Sequence, residues 1–289
     1  MRRLIACFLC VGALLFSFGC HRGKGSEPLW ELICIDVGQG HCTLLRTPDG
    51  DVLVDAGSEI SQGDLCQRLK SYGVQRLKLM ILTHSDEDHI GGADGILEHF
   101  EVEEIRWNGI ATETDSFARL IDAVKKKNVS MDVFLANDGR SVGGAHIGVL
   151  SLPIEKKASA NDCGLVLLIR CGAFGALIMG DASSDVEADL IKRYGAAHLQ
   201  TDVLLVGHHG ASTSTSSGLI EMADPQYAVI SCGAGNSYGH PDGRTLARLE
   251  AAEVEILRTD LDGDVRFAIC ENEFHVSSKG DGLKIGDGK

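Results

Sequence analysis

The sequence predicts a layered α/β domain with two sheets inside and helices outside, and three observations carry the prediction. Short apolar runs of strand length alternate with amphipathic stretches of helical period, the pattern recurs in two comparable halves, and 35 glycines against 5 prolines supply many tight turns. A chain of 289 residues with 44% hydrophobic content can bury a large core as one sizeable domain.

The first twenty residues carry Arg2 and Arg3, the apolar stretch Leu4 to Phe18, and then Gly19-Cys20. That order reads as a signal peptide over residues 1–20, too short and wrongly flanked for a membrane span. Cys20 after a small residue resembles the lipid-attachment cysteine of bacterial lipoproteins, although Ser17 stands where that pattern usually has Leu. The expectation is an exported chain, anchored to the membrane by lipid at the bacterial cell surface or in the periplasm; plain secretion and an uncleaved anchor are the alternatives. Residues 21–28 would form a tether, 29–276 the folded domain, and 277–289, rich in Gly and Lys, a flexible tail.

Within the domain, alternation and turn residues place strands at 29–37, 42–47 and, after the turn Pro48-Asp49-Gly50-Asp51, 52–55. Amphipathic period places helices at 65–72 and 90–100 around a strand at 77–82, and a third helix at 116–127. The second half repeats the style. It has strands near 146–152, 164–171 and 174–179, helix 184–194, strand 202–206, helix 216–223, strand 226–231, helix 243–252, and strands 254–258 and 264–270.

Charge narrows the function. Lys plus Arg is 27 against 41 Asp plus Glu, and the net charge of −14 disfavours a nucleic-acid binder that relies on a general basic surface. Of ten cysteines, Cys7, Cys10 and Cys20 belong to the signal; Cys34, Cys42, Cys66, Cys163, Cys171, Cys232 and Cys270 contain no Cys-x-x-Cys pair. A zinc ribbon or dense disulfide scaffold is not expected, and most of these thiols fall in apolar strand patterns as small buried hydrophobes.

The chemistry concentrates in Thr83 to Gly92, where His84, Asp86, Asp88 and His89 fall within six consecutive positions behind the apolar run 77–82. At the end of a buried strand, such a cluster would be desolvated and mutually repulsive unless a cation neutralised the carboxylates and accepted the imidazole lone pairs. The spacing suggests two ions: residues 84 and 86 project one way from an extended loop, while 88 and 89 can turn toward a second. The alternative is a solvated acidic turn with Asp88 as N-cap of the helix from Ile90. Four more strand ends carry polar groups: Asp55 in 52–57 (VLVDAG), Asp181 in 177–181 (LIMGD), His208 and His209 in 203–210 (VLLVGHHG), and His240 in 236–241 (NSYGHP). Any one of these alone would be a turn or core residue; together, at strand ends where α/β proteins build sites, they point to function.

These segments resemble the metallo-β-lactamase superfold, whose signature is His-x-[His/Asp]-x-Asp-His followed by Gly-Asp and later histidines. More narrowly they resemble the β-lactamase-like domain of ComEC-type competence proteins of DNA uptake, through 35–40 (IDVGQG), 83–92, Gly180-Asp181, 206–210 (VGHHG), 236–241 and Arg258-Thr259-Asp260. The resemblance covers about residues 30 to 270. It implies a four-layered αββα sandwich and two divalent metal ions, zinc or manganese. His84 and Asp86 would hold the first ion, Asp88 and His89 the second, and Asp181 would bridge them. His208 is the first choice for a terminal ligand of the second ion, with His209 close behind, and Asp55 would accept from a ligand imidazole. Asp88 and His240 are the residues assigned to catalysis, His240 as late ligand, proton donor or phosphate contact. A third ligand of the first ion is open among Asn161, Asp162 and His146. Two positions depart from the competence pattern: His41 stands where Asp is common, and Gly164 where Ser is usual.

The implied activity is metal-dependent hydrolysis, with phosphodiester bonds in DNA as the expected substrate and no Ser or Cys nucleophile required. Asp86 in the second histidine's place favours manganese more than an all-histidine site would. Alternatives are a phosphoesterase acting on a small or cell-wall-linked phosphodiester and a non-catalytic surface binding protein with the same fold. Gly38-Gln39-Gly40 lacks the third glycine and the helix of a dinucleotide loop, so a tight turn near the metals is expected. The run Ser212 to Ser217 is expected to cap a helix, with a phosphate contact as the alternative.

Overall fold

A computed structural model describes residues 28–150, 161–270, 273–279 and 284–287. The signal peptide expected over 1–20 lies outside them, as does the tether apart from Pro28. Among the described residues no helix is long and apolar enough to cross a membrane.

Two sheets stack face to face. The first has ten strands in the order 284–287, 273–277, 265–269, 30–34, 43–46, 51–54, 76–82, 104–107, 130–133, with 101–102 also beside 76–82. The second has seven, in the order 255–258, 227–230, 203–205, 174–178, 167–171, 145–149, 139–142. Their inner strands, such as 51–54 and 174–178, are buried on both faces, so alternate residues feed different cores. Leu32, Cys34, Val52, Val54, Leu79 and Ile81 meet Ile169, Ala176, Ile178, Leu205 and Val229 between the sheets. Ile33, Leu53, Met80 and Leu82 face outward under helices Gln62–Ser71, Ala93–His99 and Asp115–Lys127. On the far side, Leu177 and Leu204 pack under Ser184–Tyr194 and Ser217–Ala223, while Ala228 and Ile230 pack under Gly243–Ala251. The result is the four-layered helix, sheet, sheet, helix order expected from the sequence.

Local chemistry accounts for the helix ends. Thr114 accepts from Phe117 N at 3.3 Å to open Asp115–Lys127, three lysines complement the dipole at its other end, and Asn128 closes it with φ 54°. Ser216 caps Ser217–Ala223 by accepting from Leu219 N at 3.2 Å, as expected of the Ser/Thr run.

Three expectations differ from the structure. The helix expected over 90–100 is broken into Glu87–Ile90 and Ala93–His99. The break is a close approach: a Cβ on Gly92 would lie 2.3 Å from Ala56 O, because this turn presses on the loop that follows Asp55. Strands Glu104–Trp107, Ser130–Val133, Gly139–Val142 and Glu273–Ser277 were not anticipated, and Ser130–Val133 shows why: it is a sheet edge with three exposed residues in four, so apolar alternation is missing. The tail expected to be flexible from residue 277 includes the strand Lys284–Asp287, which pairs antiparallel with Glu273–Ser277 and satisfies that strand's outer backbone groups.

All seven cysteines from Cys34 onward are thiols, and all but Cys163 are buried. Burial pushes Cys34 and Cys171 up to about 12, so they behave as small apolar side chains.

Candidate metal centre

Parallel strands 51–54, 76–82, 104–107 and 130–133 of one sheet run with their C-terminal ends at one edge of the sandwich. Strands 174–178, 203–205, 227–230 and 255–258 do the same in the other. Asp55, His84 and His89 follow strands of the first set; Asp181, His208, His209 and His240 follow strands of the second. The site is therefore built where the two sheets end together.

Asp55 organises it. Fully buried, with φ 59°, its carboxylate accepts from Thr83 N at 2.7 Å, Thr83 Oγ1 at 2.8 Å, His89 Nδ1 at 2.8 Å and His41 Nδ1 at 3.0 Å. Since a carboxylate only accepts, His89 must carry its proton on Nδ1. Thr83 spends its hydroxyl proton on Asp55 and so accepts from His84 Nδ1 at 3.1 Å. His209 Nδ1 donates to Ser231 O at 2.8 Å. Three imidazoles are thus held with Nδ1 protonated and Nε2 turned to one point.

That point is Asp181. Its oxygens lie 3.2 Å from His89 Nε2, 3.6 Å from His208 Nε2, 3.7 Å from His84 Nε2 and 3.8 Å from His209 Nε2. Asp88 Oδ2 is 3.1 Å from His209 Nε2, and Asp86 Oδ2, on a half-exposed side chain, is 3.7 Å from His84 Nε2. The Nε2 atoms of His84, His89 and His209 are buried, and none has a hydrogen-bond partner among the described residues. Orphaned imidazole nitrogens among carboxylates are what a divalent cation would satisfy. Ligand atoms of His84, His89 and Asp181 lie within 4.8 Å of one another, and so do those of Asp88, His89 and His209. The residues fit two ions sharing this cluster.

Electrostatics agree. Burial raises the Asp181 pKa, but the surrounding His89, His209 and His84 outweigh it and hold the carboxyl far below its usual range. Asp88 is likewise raised by burial, yet its close His209 and His89 neighbours hold it at about 2. His84 is pushed down to about 4, first by burial and then by His89. Burial opposes a proton on His89, but Asp181 and Asp55 raise it well above its ordinary value. A metal is the alternative positive charge to that proton.

Not every expected residue sits as anticipated. The imidazole beside Asp88 is that of His209, whereas His208, partly exposed, faces Asp181 and Asn161 Nδ2, the latter at 3.4 Å. Both histidines have positive φ, 51° and 54°, in the turn Gly207–Gly210. Such backbone costs of order 1 kcal/mol or more per residue. It is held by His208 N to Gly180 O at 2.9 Å, Gly207 N to Thr215 Oγ1 at 3.2 Å and Ser214 Oγ to Gly207 O at 2.6 Å. His240 lies over these rings, 5.7 Å from His208 and 6.4 Å from His209. His146 bonds Ser141 Oγ on its hairpin, and neither it nor Asp162 joins the groups of His, Cys, Asp and Glu that could hold an ion among the described residues, whereas Asn161 lies against His208.

The sequence reading missed His41 and Thr83. His41 was visible only as an unusual residue after Gly-Gln-Gly, and Thr83 as a strand end. Their roles arise from Asp55, which lies far off in sequence. The Gly-Gln-Gly turn does reach the centre: His41 N donates to Asp88 O at 3.1 Å, and Gly233 N to Gln39 Oε1 at 3.1 Å.

Known proteins resemble this chain in sequence and in fold. Over 273 residues the chain is 29% identical to ComE operon protein 3 of Bacillus subtilis, covering 88% of this chain and 34% of that protein. Over 235 residues it is 31% identical to Competence protein ComA of Neisseria gonorrhoeae, covering 81% of this chain and 31% of that protein. The chain spans about a third of the length of these curated relatives. Among solved structures, the metallo-beta-lactamase fold protein YhfI from Bacillus subtilis has a TM-score of 0.52 at 12% identity, covering 89% of this chain and 100% of that one. The model of the Metallo-beta-lactamase superfamily matches residues 35–234, a span that holds the Asp55, His84 to His89, Asp181 and His209 cluster, and the chain belongs to that superfamily.

Proposed function

We propose that this metal-dependent hydrolase cleaves phosphodiester bonds, with DNA as the substrate. The observation that carries the reading is the convergence of three Nε2 atoms, each fixed by its own Nδ1 donor bond, on Asp181 and Asp88. Two divalent ions, zinc or manganese, would activate a water at neutral pH and neutralise charge on a phosphoryl group. His84, Asp86 and Asp181 would hold one; Asp88, His89, His209 and Asp181 the other. Asp55, Thr83 and the Ser231 carbonyl keep the ligand rings oriented. His240, whose pKa is lowered first by burial and then by His209 and His208, is neutral at neutral pH and offers a ring N–H to a phosphoryl oxygen. The competence proteins among the relatives support DNA as the substrate. The net charge of −14 favours a second reading, a small or cell-wall-linked phosphodiester.

Metal analysis joined to turnover assays tests both. About two ions per chain are expected, with chelator-sensitive cleavage of oligonucleotides, and Asp181→Ala should lose at least one ion together with activity. Full occupancy and full turnover in that variant would remove the assignment. Hydrolysis of a chromogenic phosphodiester with no action on DNA would select the second reading.

We also propose export with lipid on Cys20, from the basic start, apolar stretch and Gly19-Cys20 of the sequence. Mass spectrometry of the native protein decides this: an unmodified peptide spanning residues 17 to 23 in the main species rules it out.

A further inference from the structure

Tyr238 is the one aromatic among the exposed large apolar side chains of the described residues, at 70% exposure. It is not loosely placed. The Asn236 side chain staples its loop, accepting from Tyr238 N at 3.2 Å and His240 N at 3.0 Å while donating to Gly233 O at 2.9 Å and His240 O at 2.6 Å. The Tyr238 ring stacks on His240 at 5.8 Å and 24°, and His240 stacks in turn toward His209 at 6.4 Å and 22°. Three rings therefore run in near-parallel series from solvent to a metal-ligand candidate, and the outer face of Tyr238 is open.

We propose that Tyr238 is a stacking platform for an unpaired nucleobase beside the scissile phosphate. The proposal rests on the phosphodiesterase reading and names its substrate class. An exposed aromatic on a pinned loop at the mouth of a polar site leaves apolar surface in water that a planar ligand would cover. Every base has a π-face, so such a platform accepts single-stranded nucleic acid with little regard to sequence. It also supplies what the charge withholds: on a chain of net charge −14, affinity cannot come from general phosphate attraction, and stacking survives salt. A base inside a duplex cannot present its face to Tyr238 without leaving the stack.

The test uses the metal-loaded full chain and two single-stranded oligodeoxynucleotides, one complete and one abasic beside the scissile bond. The ratio of their kcat/KM values should fall about ten-fold in Tyr238→Ala and stay near wild type in Tyr238→Phe. An equal loss on both substrates would make Tyr238 a cover for His240 and overturn the proposal. Binding is read separately, by quenching of a phosphorothioate oligonucleotide carrying 2-aminopurine. Tyr238-dependent quenching without cleavage keeps the platform and overturns the phosphodiesterase reading. Cleavage with quenching equal in wild type and Tyr238→Ala overturns the platform alone, and absence of both overturns both.

Discussion

His41 Nδ1 donates to Asp55 Oδ2 at 3.0 Å, which puts a second imidazole on the carboxylate that orients His89. Burial alone would raise the Asp55 pKa, but His89 and His41 reverse it and keep the carboxyl ionised well below its usual range. The contact of this imidazole with the buried carboxylate is attractive. His41→Ala should therefore cost about 1–3 kcal/mol by leaving Asp55 short of a donor. It should weaken metal binding about 10–100-fold by loosening His89. His41→Gln, which keeps an N–H, should recover part of both. Thermal unfolding and metal titration read the two effects, and no change in either would make the contact incidental.

The two neighbouring histidines should separate cleanly. His209→Ala removes the ring that pairs with Asp88, so one ion should be lost and turnover with it. His208→Ala removes a partly exposed ring facing Asp181 and Asn161 and should keep about two ions per chain. Metal analysis of both variants checks this, and the reverse pattern would restore His208 as the terminal ligand.

What the sequence could and could not show follows from how far each signal reaches. Strand 76–82 and the ligands behind it were legible because burial, period and chemistry coincide in one short segment. The order of His208 and His209 was not, since it depends on a left-handed turn and on a carbonyl at Ser231, just past the end of strand 227–230. Ser130–Val133 was hidden because an edge strand has only one neighbour and no need of an apolar face. His41 and Thr83 were hidden because their partner, Asp55, is reached only when strands 43–46, 51–54 and 76–82 lie side by side.

Metal affinity should rise with pH. With its pKa raised by Asp181 and Asp55 against burial, His89 carries a proton in the metal-free protein at neutral pH, and an ion must displace it. His84, lowered to about 4, is already neutral there. The signs for stability differ. The His89 contribution is complete below the unfolded value of about 6.5 and is lost as pH rises through its folded value, while that of His84 is present above about 6.5 and lost as pH falls toward 4. Near neutrality one released proton corresponds to about ten-fold in affinity per pH unit. Titration calorimetry in buffers of different ionisation enthalpy counts that proton, and uptake without proton release would contradict the assignment of His89.

The Gly38-Gln39-Gly40 turn offers a test of how tightly the second ion's ligands are held. Gly40 has φ 144°, and a Cβ there would lie 2.5 Å from Asp88 O, the same oxygen that accepts from His41 N. Gly38 also has positive φ, 71°, but a Cβ there meets nothing within 4 Å. Gly38→Ala should therefore show only the backbone cost, about 1 kcal/mol, with metal binding kept. Gly40→Ala adds a clash that pushes the Asp88 backbone away, so it should lose more stability and release the ion held by Asp88, His89 and His209 before the one held by His84 and Asp181. Thermal unfolding with metal stoichiometry on both variants separates strain from displacement. If Gly40→Ala binds metal as Gly38→Ala does, the turn does not set the position of Asp88.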